Sequence, residues 1–123
     1  LVHETVLREG PPIAREARLV KALFFLKRSP GVSHRAFVEF WTARETPLLT
    51  GGANAVRWVK STLVLEAYPG GEALYDGVEE LWWADQAAHD AETPPADARQ
   101  VDQYVDRAAS RAMFVDENRV VWD

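Results

Sequence analysis

The sequence predicts an α+β fold, a four-stranded antiparallel sheet with two helices on one face. Three observations predict it. Period-two alternation and 3.6-residue apolar spacing follow one another in the order strand, helix, strand, strand, helix, strand. Gly, Pro and small polar residues punctuate the chain between those segments. A chain of 123 residues, 47% hydrophobic and 27% charged, suits one domain with a real core and leaves no room for a second.

"LVHETVL" alternates weakly, as a strand could, but "REGPPIAREAR" breaks it, and residues 1–18 read as an N-terminal arm. The domain then runs over 19–123. "LVKALFFLKR" (19–28) is apolar and aromatic, as a buried strand requires. "SPG" interrupts it, and Ser33 is the expected N-cap of a first helix. At 3.6-residue spacing Phe37, Phe40, Trp41 and Leu48 share one face of that helix, which "TGGAN" ends.

"AVRWVKSTLVLEA" (55–67) is the second strand, with Val56, Trp58, Lys60, Thr62 and Val64 on one side and Val59, Leu63 and Leu65 on the other. "YPGGEALYDG" is a loop. "VEELWWA" (78–84) is the third strand, with Val78, Glu80 and Trp82 opposite Glu79, Leu81 and Trp83. "DQAAHDAE" makes a short helical turn. "TPPA" restarts a helix capped by Thr93, expected over about 95–110, with Val101, Tyr104, Val105 and Ala108 on one stripe and Arg107 and Arg111 near its negative end. "AMFVDE" and "RVVWD" close the chain as a bent or interrupted strand. This order is the split βαβ pattern of a ferredoxin-like βαββαβ sheet. Apolar residues on both sheet faces predict that the uncovered face is covered by a second copy, making a homodimer.

Composition narrows the partners. Net charge is −5, and residues 1–28 carry six Lys/Arg against three Glu, so the rest is an acidic body without a basic stripe. That disfavours nucleic acid and anionic membranes, and no run reaches membrane-spanning length. The chain has no cysteine, which removes disulfides, thiolate catalysis and zinc–thiolate sites. No basic-then-apolar leader opens the sequence, and the expected location is cytoplasmic. The expected partner is a small molecule, another copy of the chain, or both.

The candidate chemistry is carried by carboxyls near aromatics. Glu45 falls four residues after Trp41 and eight after Phe37, so helical spacing places it buried or half-buried at the mouth of a cleft between the first helix and the sheet. A carboxyl desolvated beside aromatics moves protons near neutral pH. Glu80 lies within a strand on the Trp82 face. In one cavity, Glu45 and Glu80 would form an acid and a base; alternatively Glu80 pairs with Lys60 or Lys21 across the sheet. His89 follows Asp85 by four residues, which lets a carboxylate orient an imidazole, or leaves a solvated pair. His34 and His3 have no assigned role. None of the three His residues has metal-ligand spacing, so no metal is expected. Trp41, Trp58, Trp82 and Lys60 are expected around a pocket for a flat apolar ligand, with Tyr104 adding a hydroxyl. "PGG" at 69–71 is a turn, not a phosphate loop, so no nucleotide cofactor is expected.

"KALFFLKRSPGVSHRAFVEFW", "PLL", "YDGVEELWWAD" and "RAMFVDE", in this order, resemble the EthD family of the dimeric α+β barrel superfamily. The resemblance covers roughly 19–119. It implies a cofactor-free homodimer acting on cyclic or aromatic molecules as an isomerase, dehydratase, cyclase or monooxygenase. The family's pattern usually carries His where this chain has Glu45. The leading expectation is acid–base catalysis on an aromatic or polycyclic, polyketide-like substrate by a dehydratase, cyclase or isomerase, with Glu45 moving the proton and Glu80 or His89 helping. The alternatives are a cofactor-independent monooxygenase of an electron-rich aromatic, and a non-catalytic binding or stabilising protein.

Overall fold

The computed structural model describes residues 2–8, 19–63, 74–116 and 119–122. Its elements are β1 (Val2–Arg8), β2 (Val20–Leu26), α1 (His34–Thr42), β3 (Arg57–Leu63), β4 (Gly77–Trp83), α2 (Gln86–Asp90), α3 (Ala98–Tyr104), β5 (Arg111–Asp116) and β6 (Arg119–Trp122). The strands form one six-stranded sheet in the order β1-β3-β4-β2-β5-β6, each antiparallel to its neighbours. The class is α+β, as expected. β2 and β3 run parallel with β4 between them, and β4 and β5 run parallel with β2 between them. Each of these pairs is joined through helix.

Register separates the two faces. Ala22, Phe24 and Leu26 of β2, Glu79, Leu81 and Trp83 of β4, Trp58 and Lys60 of β3, and Ala112 of β5 point to the side that the helices cover. There they meet Phe37 and Trp41 of α1 and Val101 of α3, all buried in one core. The other face carries Lys21, Leu23, Phe25, Val78, Glu80 and Trp82, each only partly buried, and Val59 and Ser61 of β3, which are buried. The alternation expected for β3 and β4 is what the register shows, as far as Thr62; Val64 and Leu65 lie outside the described residues.

α1 begins where expected. Pro30 and Gly31, the latter at φ 85°, turn the chain, and the Ser33 hydroxyl accepts the Ala36 amide at 3.0 Å. Five expectations are corrected. Val2–Arg8, assigned to the arm, is an edge strand paired with β3. The closing strand is two, β5 and β6, paired antiparallel about Asp116 and Arg119. α1 stops at Thr42, so Leu48 is buried from a loop rather than from the helix. α3 runs over Ala98–Tyr104 only, because Val105 is extended and bridges Arg28, and the Asp106 amide bonds Lys27 O. Arg107 and Arg111 are therefore not on a helix end. The N-cap position of α3 is Asp97, not Thr93, and its carboxylate holds Arg44 rather than the helix amides. No helix among the described residues is long and apolar enough to cross a membrane.

Candidate functional site: a buried glutamate and a buried aspartate

β4 brings two acids into the interior, neither of them the one the sequence pointed to. The first is Glu79, fully buried on the helix-covered face. Its Oε2 accepts the indole N–H groups of Trp41 and Trp58, each at 3.1 Å, and Oε1 accepts the Leu48 amide at 3.0 Å. Lys60, its cross-strand partner, is also buried. The Lys60 ammonium donates to the Trp41 carbonyl at 2.6 Å and to the Arg44 carbonyl at 3.0 Å, which caps the negative end of α1. Burial pushes the Glu79 carboxyl up, against the pull of its three N–H donors and of Lys60. Burial lowers Lys60, opposed by Glu79 and reinforced by Arg44. Glu79 and Lys60 thus pin the segment after α1 to the sheet at two places, between walls of tryptophan.

The second acid is Asp76, 1% exposed at the mouth of β4. Oδ1 accepts the Arg28 guanidinium at 2.6 Å and the His34 ring at 2.8 Å, Oδ2 accepts the Arg28 amide at 2.9 Å, and the Lys27 ammonium stands 3.9 Å away. Burial pushes the Asp76 carboxyl up, but the Arg28 amide, the His34 ring and the Arg28 guanidinium together hold it below the usual aspartate range. "LKRSPG" and "YDG", far apart in sequence, meet here.

The two acids respond to pH with opposite sign. The contribution of Asp76, whose folded value is depressed, is full above the ordinary aspartate range and is lost as pH falls through that depressed value. That of Glu79, whose folded value is raised, is full below the ordinary glutamate range and is lost as pH rises through the raised value. Scanning calorimetry across acid to neutral pH is therefore expected to show the deficit of Asp76→Asn widening towards neutrality. The deficit of Glu79→Gln is expected to narrow over the same range, and parallel curves for the two would contradict the assignment.

The residues singled out from sequence do not share one cavity. Glu45 is exposed, because α1 has ended at Thr42 and helical spacing no longer carries the chain towards the core. Its place in a buried cleft is withdrawn. Glu80 is on the opposite sheet face from Glu79 and pairs with Lys21 at 3.2 Å, the alternative weighed for it. Asp85 does not orient His89: it caps α2 by accepting the Ala88 amide, while His89 lies by Asp90 and Gln86 and edge-on to Trp83 and Phe114. Trp41, Trp58 and Lys60 do converge, around Glu79. Trp82 is on the other face, between Lys21 at 4.7 Å and Arg57 at 4.9 Å. The Tyr104 ring stacks on Phe40 at 4.0 Å, joining α3 to α1. A hollow of about 230 Å³ lined by Phe24, Leu49, Arg107, Ser110, Arg111 and Ala112 contains none of these residues. Among the described residues, no group of three or more His, Asp or Glu is placed to hold a metal ion.

Sequence reasoning missed Glu79 and Asp76. In "VEELWW" each glutamate shares a face with a tryptophan, so period two alone does not choose between them. The signal that does choose is Gly77, whose missing side chain makes room for Trp41 on the Glu79 face. Comparison with protein-family models, curated proteins and solved structures returned no match.

Proposed function

We propose that the chain is a ferredoxin-like, dimeric α+β barrel protein, free of cofactor, that binds an apolar cyclic or aromatic small molecule and acts on it by acid–base chemistry as a dehydratase, cyclase or isomerase. The observation that carries this reading is Glu79, a protonatable carboxyl desolvated between Trp41 and Trp58 with Lys60 beside it. Placing an acid in an apolar interior costs several kcal/mol unless it is paired, and such groups cluster where proton transfer is needed. Glu79 takes the proton-transfer role expected of Glu45, and the tryptophans form the walls. A ligand reaches it when the segment after α1 lifts off Glu79 and Lys60.

The interlocked strand order β3-β4-β2-β5 with α1 and α3 on one side supports the ferredoxin-like reading. Arg57 supports the dimer. Its guanidinium lies on Trp82, on the sheet face opposite the helices, and has no ion partner among the described residues. A second copy's face would supply an anionic partner for that guanidinium.

The complete burial of Glu79 favours a second reading, a binding protein without turnover in which the carboxylate only frames the pocket. The experiment is titration of tryptophan emission with 2-naphthol and 1,8-dihydroxyanthraquinone, with sedimentation at micromolar concentration on the same sample. Saturable quenching by a dimer is the expected result; a monomer whose emission neither compound quenches would overturn the proposal. Once a converted substrate is in hand, Glu79→Gln should lower turnover about a hundredfold with quenching retained. Full turnover in that variant selects against Glu79 as the proton carrier.

A further inference from the structure

We propose that His34 is a general base, presenting its Nε2 to the weakly acidic O–H or C–H of a small molecule, such as a phenol or an enolisable carbonyl, at the N-terminal end of α1. The inference deepens the acid–base reading above and rests on it for the substrate class. The geometry of the dyad itself stands apart from Glu79.

Asp76 is the fixed point. Its carboxylate is held by the Arg28 backbone amide and guanidinium, so it has no freedom to follow a rotating ring. An ionised carboxylate only accepts, so the 2.8 Å contact requires His34 to donate through Nδ1–H. The neutral ring then carries its lone pair on Nε2. That atom makes no hydrogen bond among the described residues, while the His34 side chain keeps 18% of its surface against 1% for Asp76. A buried acid behind a partly exposed imidazole is the arrangement that orients a base and steadies the cation formed when it takes a proton.

A purely fastening role explains less of this. The first turn of α1 is already capped by Ser33, and the β2 end is already tied to Asp76 by Arg28. In the proposed step the substrate X–H bond breaks, its proton goes to Nε2, and its electron pair stays on the substrate as a phenolate or enolate. The imidazolium, still donating through Nδ1–H to Asp76, returns the proton to the rearranged product. The step needs no further reactant.

Two measurements on the intact chain test the dyad without a substrate. Long-range proton–nitrogen correlation spectra of the histidine rings should show His34 as the Nδ1–H tautomer with a bare Nε2. Diethylpyrocarbonate labelling followed by peptide mass spectrometry should modify His34 at least as fast as His89, whose side chain is 26% exposed. Asp76→Asn should slow labelling of His34 about tenfold or more by releasing the tautomer and ring orientation. A merely structural tie predicts the opposite, since loosening it exposes the ring and speeds labelling. An Nε2–H tautomer, a His34 inert while His89 reacts, or an unchanged or faster rate in Asp76→Asn overturns the proposal. Naphthol quenching is read separately. Its loss beside a reactive His34 would remove the aromatic-ligand reading and leave the dyad standing.

Discussion

Replacing Glu79 with Ala is expected to remove about 3–5 kcal/mol of unfolding free energy, the scale for leaving one half of a buried charged network behind. Three N–H donors lose their acceptor at once: the indoles of Trp41 and Trp58 and the Leu48 amide. Lys60 keeps its two carbonyls but loses the Glu79 carboxylate that offsets its burial. A cavity adds to the loss. Since a domain of this size holds about 5–15 kcal/mol in total, the variant should unfold at markedly lower urea concentration, if it folds at all. Urea titration followed by tryptophan emission is the measurement. A loss under about 1 kcal/mol would mean that water replaces the carboxylate at little cost, and that the site is open rather than sealed.

Gly77→Ala is the second large effect, and its cause is steric. A Cβ at Gly77 would fall on the six-membered ring of Trp41, overlapping Cζ3 and Cη2 and standing 3.2 Å from Cε3. Trp41 is fully buried, so the ring has nowhere to retreat without displacing Phe37, whose ring centroid is 5.7 Å away. Moving the indole also breaks its hydrogen bond to Glu79. Overpacking with loss of a buried bond should cost about 3 kcal/mol or more, a fall in Tm of about 10 °C or more for a chain of this length. The near-UV circular dichroism of the tryptophans should change with it. A Tm within about 2 °C of the parent would show that α1 slides to accommodate the methyl group.

What could be read from sequence follows from which signals are local. Alternation in "RWVKST" and "VEELWW" is imposed by the pleat, and the faces it assigns are the faces observed. Ser33 as a cap is equally local. The end of α1 was legible in principle: Pro47 disfavours helical backbone at Thr46, and the chain leaves the helix after Thr42. Arg44 then folds back to bond the Thr46 and Pro47 carbonyls, a contact no periodicity reports. Extending a 3.6-residue spacing past that point put Glu45 on a stripe that no longer existed. α3 was overestimated for a similar reason, since the strand-like bridge from Val105 to Arg28 is a long-range bond that cuts the helix short. Asp76 and His34 were illegible because their chemistry arises from three segments meeting, and neither residue lies on an apolar stripe.

The position of β2 carries a consequence for how the chain acquires its structure. Both neighbours of this central strand come late: β4 starts at Gly77 and β5 at Arg111, whereas β2 ends at Leu26. During synthesis the most apolar strand therefore emerges well before either of its neighbours, and about fifty residues separate its end from the start of its first sheet partner. No local hairpin shields it in the interval. α1 is the first element that follows it, and a nine-residue helix is marginal alone in water. Refolding from urea should thus run on the slow side for a chain of this length, in about milliseconds to seconds, because pairing must close long loops before it is rewarded. Until β4 arrives, the exposed "ALFFL" edge is the segment through which two nascent chains would join by mistake.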